Sequence, residues 1–149
     1  PEQYTREFPW GLQSIRATLV HTAGAEWNYN RRLRGEPVPG PEARPYHPLY
    51  QGDFAALERF WRDLAAETRR TLESIRDWSR PVQYEAARPD GTRRRVRTTA
   101  AGVAAQLLFH EVHHRAQVMA MLRQLGIPAE NLDYSFLCYQ VEEVPAGQG

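Results

Sequence analysis

From Val103 to Leu125 the chain carries apolar residues along one side of a helix and places two histidines among them. At about 100° per residue, Leu107, His110, His114, Val118, Met121 and Leu125 all project within about 60° of Val103. This stripe predicts a core-facing helix over about 99–125, with Gly126 and Pro128 as its stop. His110 and His114 are four residues apart, so their imidazoles point the same way, one turn apart. A polar group facing a core needs a partner, since an unsatisfied one costs about 1–3 kcal/mol. One divalent cation held between the two rings would satisfy both.

Two further stretches keep the helical period. The first runs from about Trp10 to Arg34, with Leu12, Ile15, Leu19, Ala23 and Trp27 in one stripe and Arg31, Arg32 and Arg34 at the negative pole before Gly35. The second runs from about Phe54 to Trp78, capped by Asp53, with Leu57, Trp61, Leu64, Thr68, Leu72, Ile75 and Trp78 forming a single seam. Between them Gly35–Gly52 holds Pro37, Pro39, Pro41, Pro45 and Pro48, which forbid a helix. A connector of this length is functional or wraps across the body. Before the last helix, Val82–Ala87 and Arg93–Thr98 flank Arg88-Pro89-Asp90-Gly91, a turn sequence, and predict a hairpin over 82–98. The segment from Asp133 to Tyr139 is expected to pack on the bundle, with Cys138 as a small core residue, and residues 146–149 to be loose. The expectation is a single all-α domain over 1–149, an up-and-down helical bundle with a small hairpin before its last long helix.

Composition removes several classes. With 149 residues, 42% of them hydrophobic, the chain fills one core. All 19 basic residues are Arg, but the net charge is only +1. The basic strand Arg93, Arg94, Arg95 and Arg97 therefore reads as a charged edge rather than a nucleic-acid ribbon. No run of apolar residues is long enough to span a bilayer. The lone Cys allows no internal disulfide. Without a charged-then-apolar leader, the expected location is the cytoplasm. The chain begins at Pro1, consistent with Met excision or with truncation.

His21 complements the pair on the last helix. It lies in a nine-residue run without charge, Ala17–Ala25, on the face carrying Ser14, Ala17, Gly24 and Ala25. Small neighbours allow close helix approach and leave room for a cavity. A ligand on one helix facing a pair on another is how bundles build core metal sites. Three neutral imidazoles leave at least one coordination position open, the catalytic rather than the structural arrangement. Imidazole suits Zn, Ni, Fe or Cu without choosing among them. His47, in the proline connector, reads as incidental.

The string His110-Glu111-Val112-His113-His114-Arg115-Ala116-Gln117-Val118, continued by Leu122-Arg123-Gln124-Leu125-Gly126, resembles the DinB/YfiT-like family signature H-x-x-H-H-R-G-Q-[VI] and L-R-x-x-G. Ser14-Ile15-Arg16-Ala17-Thr18-Leu19-Val20-His21, then Glu26-Trp27 and Arg32-Leu33-Arg34-Gly35, is similar to its upstream helix. The hairpin and Leu132-Asp133-Tyr134 add to the likeness, which covers most of the chain. The resemblance implies a helical bundle whose metal is held by His21, His110 and His114. That metal is expected to be Zn or Ni foremost, with Fe or Mn behind. It also implies a homodimer and, in some members, thiol-dependent transfer or isomerisation. Ala116 stands where the family has Gly. Only about ten residues precede the His21 helix, where the family has another long helix, so the C-terminal segment or a partner subunit is expected to cover that flank.

The leading expectation is a metal-dependent enzyme acting on a small molecule, a thiol S-transferase or a hydrolase. The catalytic candidates are Glu111 and His113. Glu111 reads more readily as a supporting carboxylate than as a base, and His113 as a rim or interface residue. Gln117 borders the stripe, where it would orient a ligand. Arg115 is expected in a salt bridge, with Asp133 as a candidate partner, or at an interface. The same residues spell H-E-x-x-H, so a zinc peptidase with Glu111 as base and Glu130 or Asp133 as third ligand is the first alternative. A non-enzymatic, dimeric metal-binding bundle is the second.

Overall fold

The computed structural model describes residues 1–87, 91–130, 132, 134–140 and 142. Its order is α1 (Glu2–Thr5), α2 (Ile15–Arg34), two short 3-10 turns in the connector, α3 (Phe54–Ser74), β1 (Pro81–Ala87), β2 (Arg93–Thr99), α4 (Ala100–Gln124) and α5 (Tyr134–Cys138). The fold is an all-α bundle with one antiparallel hairpin ahead of the last long helix. Among the described residues no helix is long and apolar enough to cross a membrane.

Each long helix opens on a side-chain cap. The Ser14 hydroxyl accepts from Ala17 N at 3.0 Å, Asp53 Oδ1 from Ala56 N at 2.8 Å, and Thr99 Oγ1 from Gly102 N at 3.1 Å. Gly35 ends α2 at φ 73°, with its own N–H and that of Glu36 closing onto Arg32 and Arg31 carbonyls. Gly126 repeats this motif after α4, at φ 71°.

α2 is the axis of the molecule, packed by α4 on one side and α3 on the other. That explains why its burial goes well beyond one stripe: Ile15, Thr18, Val20, Thr22, Ala23, Gly24, Glu26, Asn30 and Leu33 are all buried. One core cluster, Val20, Ala23, Tyr46, Leu57 and Leu64, joins α2 to α3 and the connector. A second, Leu33, Val82, Ala100 and Val103, seats the hairpin. A third, Phe8, Ile15 and Met121, folds the N-terminal residues against the end of α4.

Three boundaries and two placements depart from the sequence expectation. α2 begins at Ile15 rather than near Trp10, because Gly11 and Gln13 take φ of 62° and 68° and turn the chain back, so that Phe8 N–H reaches Gln13 O at 2.7 Å. α3 stops at Ser74, and Trp78 leaves the seam to become exposed. Asp77 accepts from the Ser79 N–H and hydroxyl and makes a tight turn there. β2 runs to Thr99, which pairs with Pro81. Cys138 is exposed rather than a core residue, since the short α5 turns Tyr134 and Tyr139 to solvent, where their rings meet each other at 6.0 Å. As the few residues before α2 imply, only the short α1 stands where the family has a long helix.

The hairpin pairs Val82 with Thr98 through Ala87 with Arg93; residues 88–90 of its turn lie outside the described residues. Its arginines are exposed and partly neutralised within the hairpin. Glu85 bridges Arg93 at 2.9 Å and Arg95 at 3.7 Å, and Arg97 Nε donates to Gln83 Oε1 at 3.1 Å.

Candidate metal centre

The α2–α4 seam brings His21, His110 and His114 together, with their donor nitrogens all within 4.8 Å of one another. His21 Nε2 and His110 Nε2 are 3.1 Å apart. Two nitrogens each about 2.0–2.1 Å from a tetrahedral ion stand roughly 3.3 Å apart, so this separation fits one bound cation. The rings meet as a closed set, with centroids 4.4 to 5.0 Å apart. His114 is buried, and the other two are half-buried.

The electrostatics suit lone-pair donation. Burial pushes the His110 pKa down to about 4, helped by His114, His21 and His113 nearby. Burial also lowers that of His21, with His114 adding to it. Both rings are therefore neutral near pH 7, the form that binds metal. Gln117 lies behind the site: its Oε1 is 2.8 Å from His114 Nδ1, and its amide nitrogen is 3.2 Å from His113 Nε2. The first contact places the hydrogen of His114 on Nδ1 and leaves Nε2 free to bind. His110 Nδ1 is buried without a partner among the described residues.

The two catalytic candidates lie elsewhere. His113 is exposed and touches His114 only edge-on and through Gln117. Glu111 lines a separate cavity of about 280 Å³ with Glu26, Thr68, Leu72, Ala104, Leu107 and Leu108. Its pKa is raised to about 7, chiefly by burial and then by Glu26, against a lowering from Arg115. One of its oxygens is buried and unpartnered. The expected Arg115–Asp133 bridge falls on a residue outside the described set.

Two features go beyond the sequence reading. Buried Glu26 accepts from Trp61 Nε1 at 2.6 Å and from the Thr68 hydroxyl, which Asn30 Nδ2 meets at 2.7 Å. This polar network ties α2 to α3 beside the core. The proline connector, in turn, folds over His21. His21, Ala25, Asn28, Pro41, Arg44, Tyr46, His47 and Tyr50 line a cavity of about 250 Å³. His47, read as incidental, is an exposed part of that wall.

No curated protein matches the chain. The model of the DinB family matches residues 1–143, nearly the whole length, and the chain therefore belongs to the DinB family.

Proposed function

We propose that the protein binds one divalent metal ion through His21, His110 and His114 and is an enzyme acting on a small molecule admitted to the cavity above His21. The observation that carries this reading is the convergence of three imidazoles from two helices, one of them oriented by Gln117. Zinc or nickel is the expected ion, with iron or manganese behind. A divalent ion so held supplies Lewis acidity, enough to make a thiol or a water nucleophilic near neutral pH. Thiol transfer or hydrolysis is the chemistry that fits. A cavity of about 250 Å³ lies below the usual 300–1,000 Å³ of ligand pockets. Its size favours a small molecule over a peptide, and Glu111 lines another cavity, so the peptidase reading has less support.

We also propose that the protein is a homodimer built on α4. Leu108, Phe109 and Val112 are 59%, 70% and 43% exposed, in line with exposed Ala101, Ala105 and Ala116. A two-fold axis between Leu108 and Phe109 would set Leu108 on Phe109, Ala105 on Val112 and Ala101 on Ala116. Every member of the stripe meets another member, as an isologous interface requires.

The test is elemental analysis of the untagged protein beside His114→Ala, with melting and thiol-transfer rates followed before and after chelation. Stoichiometric metal in the native protein, its loss in the variant, and activity that disappears on chelation and returns with metal are expected. Equal metal content in both proteins would contradict the ligand assignment. A large loss of stability with no activity on any thiol would leave a structural ion.

A further inference from the structure

The cavity above His21 has a cationic wall. Arg44 is half-buried there, held by the connector itself: its Nε donates to Pro39 O at 3.1 Å and its Nη1 to the Tyr46 hydroxyl at 3.1 Å. Tyr46 is buried and fixed from the other side by Asn28 Nδ2 at 3.0 Å. Arg44 therefore has a set position, and it forms no ion pair among the described residues. Its neighbours on α2 are engaged differently: Arg31 and Arg34 both pair with Glu36, and the Arg32 guanidinium lies over the Tyr29 and Tyr84 rings.

Arg44 also stands between two spaces. It lines the cavity with His21, and a second cavity of about 640 Å³ that reaches Arg32, Glu85 and Arg93. Asn28 and Pro41 are shared by both. A molecule seated in either cavity therefore meets the guanidinium. Guanidinium is the group that recognises carboxylates, by paired charge-assisted hydrogen bonds in a fixed plane. Holding it with a backbone carbonyl and a buried phenol reduces the entropy lost on binding.

We infer that the substrate of this site carries a carboxylate, which Arg44 binds while the reacting end of the molecule lies at His21, the one of the three histidines that lines this cavity. The inference rests on the metal-site reading above and adds the charge class of the substrate. Arg44 is then a binding residue and not a metal ligand, so its removal leaves the ion in place.

The probes are three thiol acids, mercaptoacetate, 3-mercaptopropionate and 4-mercaptobutyrate, each titrated calorimetrically into zinc-loaded protein beside its neutral amide. At one or more chain lengths the acid is expected to bind at least tenfold more tightly than its amide. In Arg44→Gln, which keeps a donor for Pro39 O without the charge, the preference falls to about twofold or less while zinc content and affinity hold. Arg44→Lys restores part of it. Equal binding of acid and amide at every length in the native protein, which needs no variant, overturns the inference. So does a preference that survives in Arg44→Gln. A native protein that takes up none of zinc, nickel, iron or manganese defeats the metal reading itself, and that outcome is visible before any thiol is added.

Discussion

Tyr46 lies so close against Gly24 that a β-carbon on the glycine would fall 2.5 Å from the ring's Cε2 and 2.7 Å from Cζ. This contact lets the connector close over α2 beside His21, three residues earlier in the chain. Tyr46 is 6% exposed and is a member of the core, so its ring has little freedom to retreat. Gly24→Ala is therefore expected to destabilise by about 1–3 kcal/mol through overpacking. At about 2–4 °C per kcal/mol for a chain of this size, the melting temperature should drop visibly. Gly40→Ala, in the same connector at φ −57° with nothing within 4 Å, is the control and should melt like the native protein. Equal behaviour of the two variants would contradict the packing described.

The orienting role of Gln117 is measurable separately from the ligands. Gln117→Leu removes the acceptor at 2.8 Å from His114 Nδ1 and should weaken metal binding about 10–100-fold, with full occupancy still reached at excess metal. Gln117→Glu keeps an acceptor in place and should retain most of the affinity. Competition with a chromophoric chelator reads both. A Leu variant that binds as tightly as the native protein would show that His114 is oriented by its own packing.

How much of this could be read from the sequence follows from the range of each interaction. The three long helices have a 3.6-residue period, and Asp53 sits where a cap belongs, so both were legible. The i, i+4 pair on α4 and the uncharged run around His21 made the three imidazoles legible as well. The start of α2 was not. Trp10 and Leu12 keep the apolar phase, while the turn depends on positive φ at Gly11 and at Gln13, a residue type with no special preference for it. The end of α3 failed for a similar reason, because Trp78 is in phase with the seam and only the Asp77–Ser79 turn removes it. The Glu26 network spans 35 and 42 residues to Trp61 and Thr68, beyond any local pattern. Five prolines showed that the connector is not helical, but not that Arg44 and Tyr46 would face α2.

The α4 stripe makes a prediction about assembly. Phe109→Glu places a charge at the centre of the proposed two-fold contact and should give a monomer by light scattering, with metal content unchanged. Each copy would otherwise bury a side chain that is now 70% exposed. Gln106→Glu, on an exposed position of α4 that the stripe does not use, should leave the assembly as it is. A native protein that stays monomeric at high concentration would eliminate this interface.

Metal-stripped protein should show two opposing pH dependences that one substitution separates. His110 has its pKa depressed to about 4, by burial first and then by the neighbouring histidines, and that of His21 moves the same way. Below about pH 6.5, and for His110 down to about pH 4, the unfolded chain binds protons at these rings that the folded one does not. Stability from them is full above pH 6.5 and is lost as pH falls. Glu111 is the reverse: burial, reinforced by Glu26, lifts its pKa to about 7. The folded carboxyl keeps a proton that the unfolded one has shed above about pH 4.5, so its contribution is intact at pH 4.5 and disappears as pH rises through 7. Glu111→Gln deletes only this second dependence. Discounted for solvent screening, the gain at pH 8.5 should be about 1–2 kcal/mol, or a few degrees in melting temperature, with little change at pH 4.5. Melting curves of the two proteins at these pH values, with chelator present throughout, read the difference. An equal shift at both would mean that the Glu111 carboxylate is as well solvated in the cavity beside Glu26 as in the unfolded chain.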